Sequence, residues 1–177
     1  MTIPNLITIA RLIIVPFLIV MIMQGRWETA FVLFVLAGVS DAADGFIARH
    51  FNMRSEFGAY IDPIADKALL VSIYVTLAIV GTIPGWLAIA IVSRDAMIVG
   101  AVLLSWVMAR PVEIKPIWIS KLNTGAQIAF AAIALGANAF GIGIDETLRL
   151  AMMGGVAALT VASAGAYLGG WLRHMSG

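Results

Sequence analysis

Six apolar runs, each approaching the roughly 20 residues that a helix needs to cross a bilayer, use up nearly the whole chain. They extend over Asn5–Met23, Thr29–Arg49, Phe57–Val80, Pro84–Met108, Ile117–Ala139 and Thr147–Leu172. Runs of this length satisfy their backbone polar groups internally only as helices. The expected fold is therefore an all-α integral membrane protein of six transmembrane helices, one domain over residues 1–177 with no room for a separate soluble one. Because 62 % of the residues are apolar and only 12 % charged, a charged group inside a run is an exception that needs a reason.

The basic residues set the orientation. With the N-terminus in the cytoplasm, Arg11, Arg49, Arg54, Lys67, Arg110, Lys115, Lys121 and Arg173 lie toward the cytoplasm and only Arg26 and Arg149 face outward, in keeping with the positive-inside tendency. Arg94 falls inside the fourth run. A net charge of +1 gives no general attraction to nucleic acid, so none is expected as a partner. The absence of cysteine removes thiolate chemistry and disulfides. The N-terminus has no basic n-region and no cleavage site, and reads as a retained first span.

The stretch from Ser40 to Lys67 holds four aspartates, Asp41, Asp44, Asp62 and Asp66. Ionisable groups at membrane depth are costly and mark functional sites. On a helix Asp41, Asp44, Gly45 and Ala48 follow an i, i+3, i+4, i+7 pattern and share one stripe. Gly58, Asp62 and Asp66 recur every four residues, again on one face. The polar link from His50 to Glu56 makes the two helices antiparallel neighbours that can bring the four carboxylates together. Such a cluster repels itself, and hard divalent cations relieve it: Mg²⁺ or Mn²⁺ prefer oxygen ligands, and a two-metal site clamps the attacking and leaving oxygens of phosphoryl chemistry. Asp41 sits about 12 Å from the cytoplasmic end of its run at 1.5 Å per residue, which places the site in a wet cavity open to the cytoplasm. For Asp62 there is a competing reading as an N-cap, since Pro63 follows it.

Asp41, Asp44, Gly45, Ala48, Arg49, Gly58, Asp62 and Asp66 spell D-x2-D-G-x2-A-R-x8-G-x3-D-x3-D, eight fixed positions over 26 residues. This resembles the signature of the CDP-alcohol phosphatidyltransferases, and the opening IPNLITIAR and the later SRD and SKLNT segments also look like family positions. The resemblance implies transfer of a phosphatidyl group from CDP-diacylglycerol to an alcohol with release of CMP. It implies two Mg²⁺ or Mn²⁺ ions on the four aspartates, with Asp66 also the base that deprotonates the alcohol. It points to Asn5, Thr8, Arg11, Gly45, Ala48, Arg49 and Gly58 as donor contacts, and to a homodimer in a bacterial inner (cell) membrane with its active site on the cytoplasmic side.

Several of these positions have blander readings. Arg11 snorkels to the interface as readily as it binds a phosphate, and Gly45 and Ala48 suit close helix packing. Arg94, Lys121, Asn123 and Arg110 are the expected acceptor pocket, although Arg94 beside Asp95 also suits an internal ion pair. The SRD and SKLNT segments look most like the cardiolipin-forming branch, with phosphatidylglycerol as acceptor; the alternative is phosphatidylglycerophosphate synthesis from glycerol 3-phosphate. A more remote reading, a divalent-cation transporter, would place its carboxylates near midplane with exits to both sides. Beyond Thr124 the glycines Gly154, Gly155, Gly165 and Gly169 read as close packing, for scaffold or dimer, and Trp27, Trp86, Trp118 and Trp171 as interfacial anchors.

Overall fold

A computed structural model describes the backbone of residues 3–50, 56–107 and 118–176, and the side chains within 8–41, 67–101, 104–105 and 118–173. The described residues form six helices: α1 (Ile3–Met23), α2 (Trp27–His50), α3 (Glu56–Ile79), α4 (Gly85–Val107), α5 (Trp118–Phe140) and α6 (Glu146–Ser176). Each coincides with one of the apolar runs to within about a turn. The chain divides into two compact units, Met1–Ile83 with Ala131–Gly143, and Pro84–Phe130 with Ile144–Gly177. The second half of α5 thus belongs to the first unit and its first half to the second.

In the first unit α1 packs on both α2 and α3. Its buried positions Val15, Leu18 and Ile22 follow helical spacing and meet a core that includes Ala30, Phe34 and Ala37 of α2 and Leu69, Ile73 and Leu77 of α3. Gly136 of α5 lies against Phe31, whose ring also meets Phe140 edge-on at 5.6 Å. In the second unit α4 packs on α6. The Trp171 indole N–H of α6 donates to the Ser105 hydroxyl (2.7 Å) and the Ala101 carbonyl (3.1 Å) of α4. Trp171 is therefore more than the interfacial anchor expected of it, since its polar edge ties two helices.

Polarity is inverted relative to a water-soluble bundle. All six helices expose large apolar side chains, Phe17, Val39, Ile79, Ile89, Phe140 and Val161 among them, while Thr8, Arg11, Thr76, Arg94, Ser105, Asn123, Gln127, Thr160 and Ser163 are buried. Lipid selects this arrangement and water selects against it. Among the described residues one segment, Glu146–Arg173 of α6, is by itself long and apolar enough to cross a membrane, with 28 residues and a mean hydropathy of 1.5. Hydroxyls inside the helices are satisfied locally: Ser40, Thr76, Ser105 and Thr124 each donate to the carbonyl four residues before.

The helix ends follow from glycine. α1, α3 and α5 are each followed by a glycine of positive φ, Gly25 (69°), Gly81 (78°) and Gly141 (63°), the left-handed position that closes a Schellman motif. Its characteristic long bond recurs at Arg26 N–H to Met21 O (2.9 Å), Thr82 N–H to Leu77 O (2.9 Å) and Ile142 N–H to Ala137 O (2.8 Å). α6 starts under an aspartate cap, Asp145 Oδ2 accepting from Thr147 and Leu148 N–H.

One alternative falls away and one expectation is narrowed. α3 begins at Glu56 and runs without a break through Asp62 and Pro63, so Asp62 is not an N-cap. Among the described residues the glycines of α6 mediate no close packing, which leaves the dimer reading: a Cβ built on Gly154, Gly155, Gly165 or Gly169 meets none of them within 4 Å.

Candidate active site

The backbone places all four signature aspartates in helices, Asp41 and Asp44 in α2 and Asp62 and Asp66 in α3, at the spacings that put each pair on one face. Of their side chains only that of Asp41 lies among the described residues. Asp44, Asp62 and Asp66, together with Asn5, Gly45, Ala48, Arg49 and Gly58, have described backbones but lie outside the described side chains, and Arg110 lies outside the described residues altogether.

Asp41 is held from α1. Arg11 Nη2 lies 2.8 Å from Asp41 Oδ1, with the arginine 1 % exposed and the aspartate 50 %. Thr8, one turn earlier on the same face of α1, is also buried. Arg11 therefore does not snorkel. Its guanidinium stays inside the first unit against the carboxylate, and the α1–α2 packing that buries it also fixes where Asp41 stands. Sequence gave no sign of this pairing, because 30 residues separate the partners and only the docking of two helices brings them together.

The second unit holds a separate polar cluster. Arg94 of α4 is 7 % exposed and donates through Nη1 to Asp95 (2.5 Å), through Nη2 to Ser120 (2.5 Å) and Ser163 (2.7 Å), and through Nε to Ser163 (3.2 Å). Its guanidinium carbon lies 5.6 Å from the centre of the Tyr167 ring. The internal Arg94–Asp95 ion pair is thus the arrangement found, extended by two serines and a ring.

Deeper in the same unit Gln127 Nε2 donates to Thr160 Oγ1 (3.4 Å), which donates to Asn123 Oδ1 (2.9 Å). Asn123 is fully buried, and its Nδ2 has no hydrogen-bond partner among the described residues. Lys121 is exposed, with Nζ 5.6 Å from the centre of the Trp118 ring. Ser163, Thr160, Gln127 and Tyr167 went unrecognised as site residues in the sequence. The signal was there: Ser120, Asn123 and Gln127 on α5, and Thr160, Ser163 and Tyr167 on α6, each follow i, i+3, i+7.

The donor set suits hard cations. Four carboxylates offer only oxygen, as Mg²⁺ and Mn²⁺ require, and Asp41 is exposed enough to take a cation while Arg11 holds Oδ1.

Comparison with known proteins agrees. Residues 1–162 match the profile of the family described as CDP-alcohol phosphatidyltransferase. The chain belongs to that family. The family is membrane-integral and generally divalent-cation dependent. Among its relatives, human cardiolipin synthase (CMP-forming) is 36 % identical over 155 residues, covering 78 % of this chain and 52 % of the relative. Probable cardiolipin synthase (CMP-forming) of Drosophila melanogaster is 34 % identical over 153 residues, covering 77 % and 48 %. Probable phosphatidylglycerophosphate synthase of Mycobacterium tuberculosis is 31 % identical over 182 residues, covering 98 % and 83 %. The chain therefore spans about half the length of the animal relatives it matches.

Proposed function

We propose that this protein transfers a phosphatidyl group from CDP-diacylglycerol to the hydroxyl of phosphatidylglycerol, giving cardiolipin and CMP. The observation that carries the reaction class is the unbroken aspartate signature on α2 and α3, inside a chain matched by the family over residues 1–162. Asp41, Asp44, Asp62 and Asp66 would hold two Mg²⁺ or Mn²⁺ ions, which when bound supply charge neutralisation at the donor pyrophosphate. Asn5, Thr8, Gly45, Ala48, Arg49 and Gly58 line the donor side; a glycine and an alanine let the backbone approach the nucleotide, and Arg49 offers a planar fork to a phosphate. Arg11 belongs to the same group through Asp41.

Asp66 takes the proton from the acceptor hydroxyl. The alcohol oxygen then bonds to the phosphorus that carries diacylglycerol, the bridging P–O bond breaks, and CMP leaves with the electron pair. Lys121, exposed beside Trp118, and Arg110 meet the acceptor's phosphate. Arg94 and Asn123 complete the acceptor set, Arg94 held in place by Ser120 and Ser163.

The reading takes all six helices as membrane spans, with the N-terminus and the site on the cytoplasmic side of a bacterial inner membrane, and the protein as a homodimer. The outward apolar residues on every helix and the buried polar ones support the membrane spans; the orientation rests on the distribution of arginine and lysine. Phosphatidylglycerophosphate synthesis from glycerol 3-phosphate is the second reading, favoured by the relative that covers 98 % of the chain. Purified protein given CDP-diacylglycerol at one concentration with each acceptor in turn separates them by lipid mass spectrometry. Cardiolipin as the main product is expected; a preference for phosphatidylglycerophosphate would overturn the acceptor and leave the family standing.

A further inference from the structure

Arg11 heads the fully buried side chains in order of size. A guanidinium keeps its charge under all ordinary conditions, and burying it in an apolar bundle is costly unless anions hold it. Among the described residues it faces the Asp41 carboxylate, at 2.8 Å, and the two partners are buried very unequally, 1 % against 50 %. The arginine is thus anchored within the packing of α1 on α2, while the carboxylate it grips stands half in the open. An aspartate so exposed turns freely about two side-chain torsions unless something fixes it, and a contact at Oδ1 lets Oδ2 be presented to a cation.

We propose that Arg11 is a positioning residue for the metal site: it holds Asp41 Oδ1 from behind so that the carboxylate offers its other oxygen to a divalent cation in one orientation. The proposal rests on the reading of Asp41 as a metal ligand and assigns to Arg11 a duty toward that ligand in place of direct contact with the donor. Two effects of opposite sign meet here. The positive charge of Arg11 repels a cation, whereas orientation of a ligand by its outer partner strengthens binding. With four carboxylates the site has no shortage of negative charge, so fixed geometry is what an added partner contributes; outer-shell contacts of this kind are typically worth about 10–100-fold in metal affinity.

The test uses full-length protein in detergent, stripped of metal and titrated with Mn²⁺, with free Mn²⁺ read by electron paramagnetic resonance and thermal melting followed in chelator. Wild-type protein is expected to bind Mn²⁺; if it does not, the metal reading itself fails, apart from any role of Arg11. R11Q should weaken binding about 10–100-fold, and R11K should recover part of the loss, because the ammonium keeps the charge without the planar fork. On a D41N background, R11Q should add little, since its effect passes through Asp41. Unchanged or tighter Mn²⁺ binding by R11Q would overturn the proposal, as would an undiminished loss on the D41N background. Should R11Q show no cooperative melt, R11K decides: wild-type melting with weaker Mn²⁺ binding supports the role, and wild-type affinity refutes it.

Discussion

At the scale of single residues, Asp66 and Asp41 should fail differently. Asp66→Asn keeps the size of the side chain and removes its ability to accept the alcohol's proton, so CMP release should fall by about 10²–10⁴-fold while CDP-diacylglycerol still binds. Turnover and donor binding measured on one preparation check this; near-normal turnover would remove Asp66 from the role of base. What was legible in the sequence is the placement of the four aspartates on two helices, since helical spacing alone groups Asp41 with Asp44 and Asp62 with Asp66. The partner of Asp41 was not legible. Arg11 and Asp41 meet only when α1 docks on α2, and a lone arginine early in an apolar run looks the same whether it snorkels, binds phosphate or pairs. Arg94 shows the same limit: its neighbour Asp95 was visible, while Ser120 and Ser163 come from two other helices.

At the scale of elements, the six helices were readable from run length, whereas the glycines that close α1, α3 and α5 emerge only with their positive φ in the structure. What each helix packs through was harder to read. The glycines of α6 look like a packing surface in sequence and meet none of the described residues closely, whereas Gly136 of α5, less conspicuous, is pressed against the Phe31 ring. A Cβ there would stand 3.2 Å from Phe31 Cε2. Gly136→Ala should therefore be close to neutral, a small clash offset by about 1 kcal/mol of helix propensity. Gly136→Leu should destabilise the first unit by about 1–3 kcal/mol through overpacking. Thermal melting of the two variants in detergent checks the contrast; equal melting temperatures would mean that Phe31 yields freely.

At the scale of the whole molecule, outward apolar residues and buried hydroxyls, amides and guanidinium groups suit a membrane protein, and the proposed direction follows from the distribution of arginine and lysine. The native chain has no cysteine, so single cysteines report that direction without background. Asn52→Cys should be shielded from an impermeant thiol reagent in intact cells and Gly143→Cys should be labelled; the reverse pattern would turn the protein over. The central claim is that the aspartates of α2 and α3 serve metal-dependent phosphatidyl transfer. It is tested most directly by CMP release from CDP-diacylglycerol and phosphatidylglycerol with purified protein, before and after chelation. Release should stop in chelator and return with Mg²⁺ or Mn²⁺, one CMP appearing for each new phospholipid; full release in chelator, or metal passage across vesicles without any CMP, would contradict it.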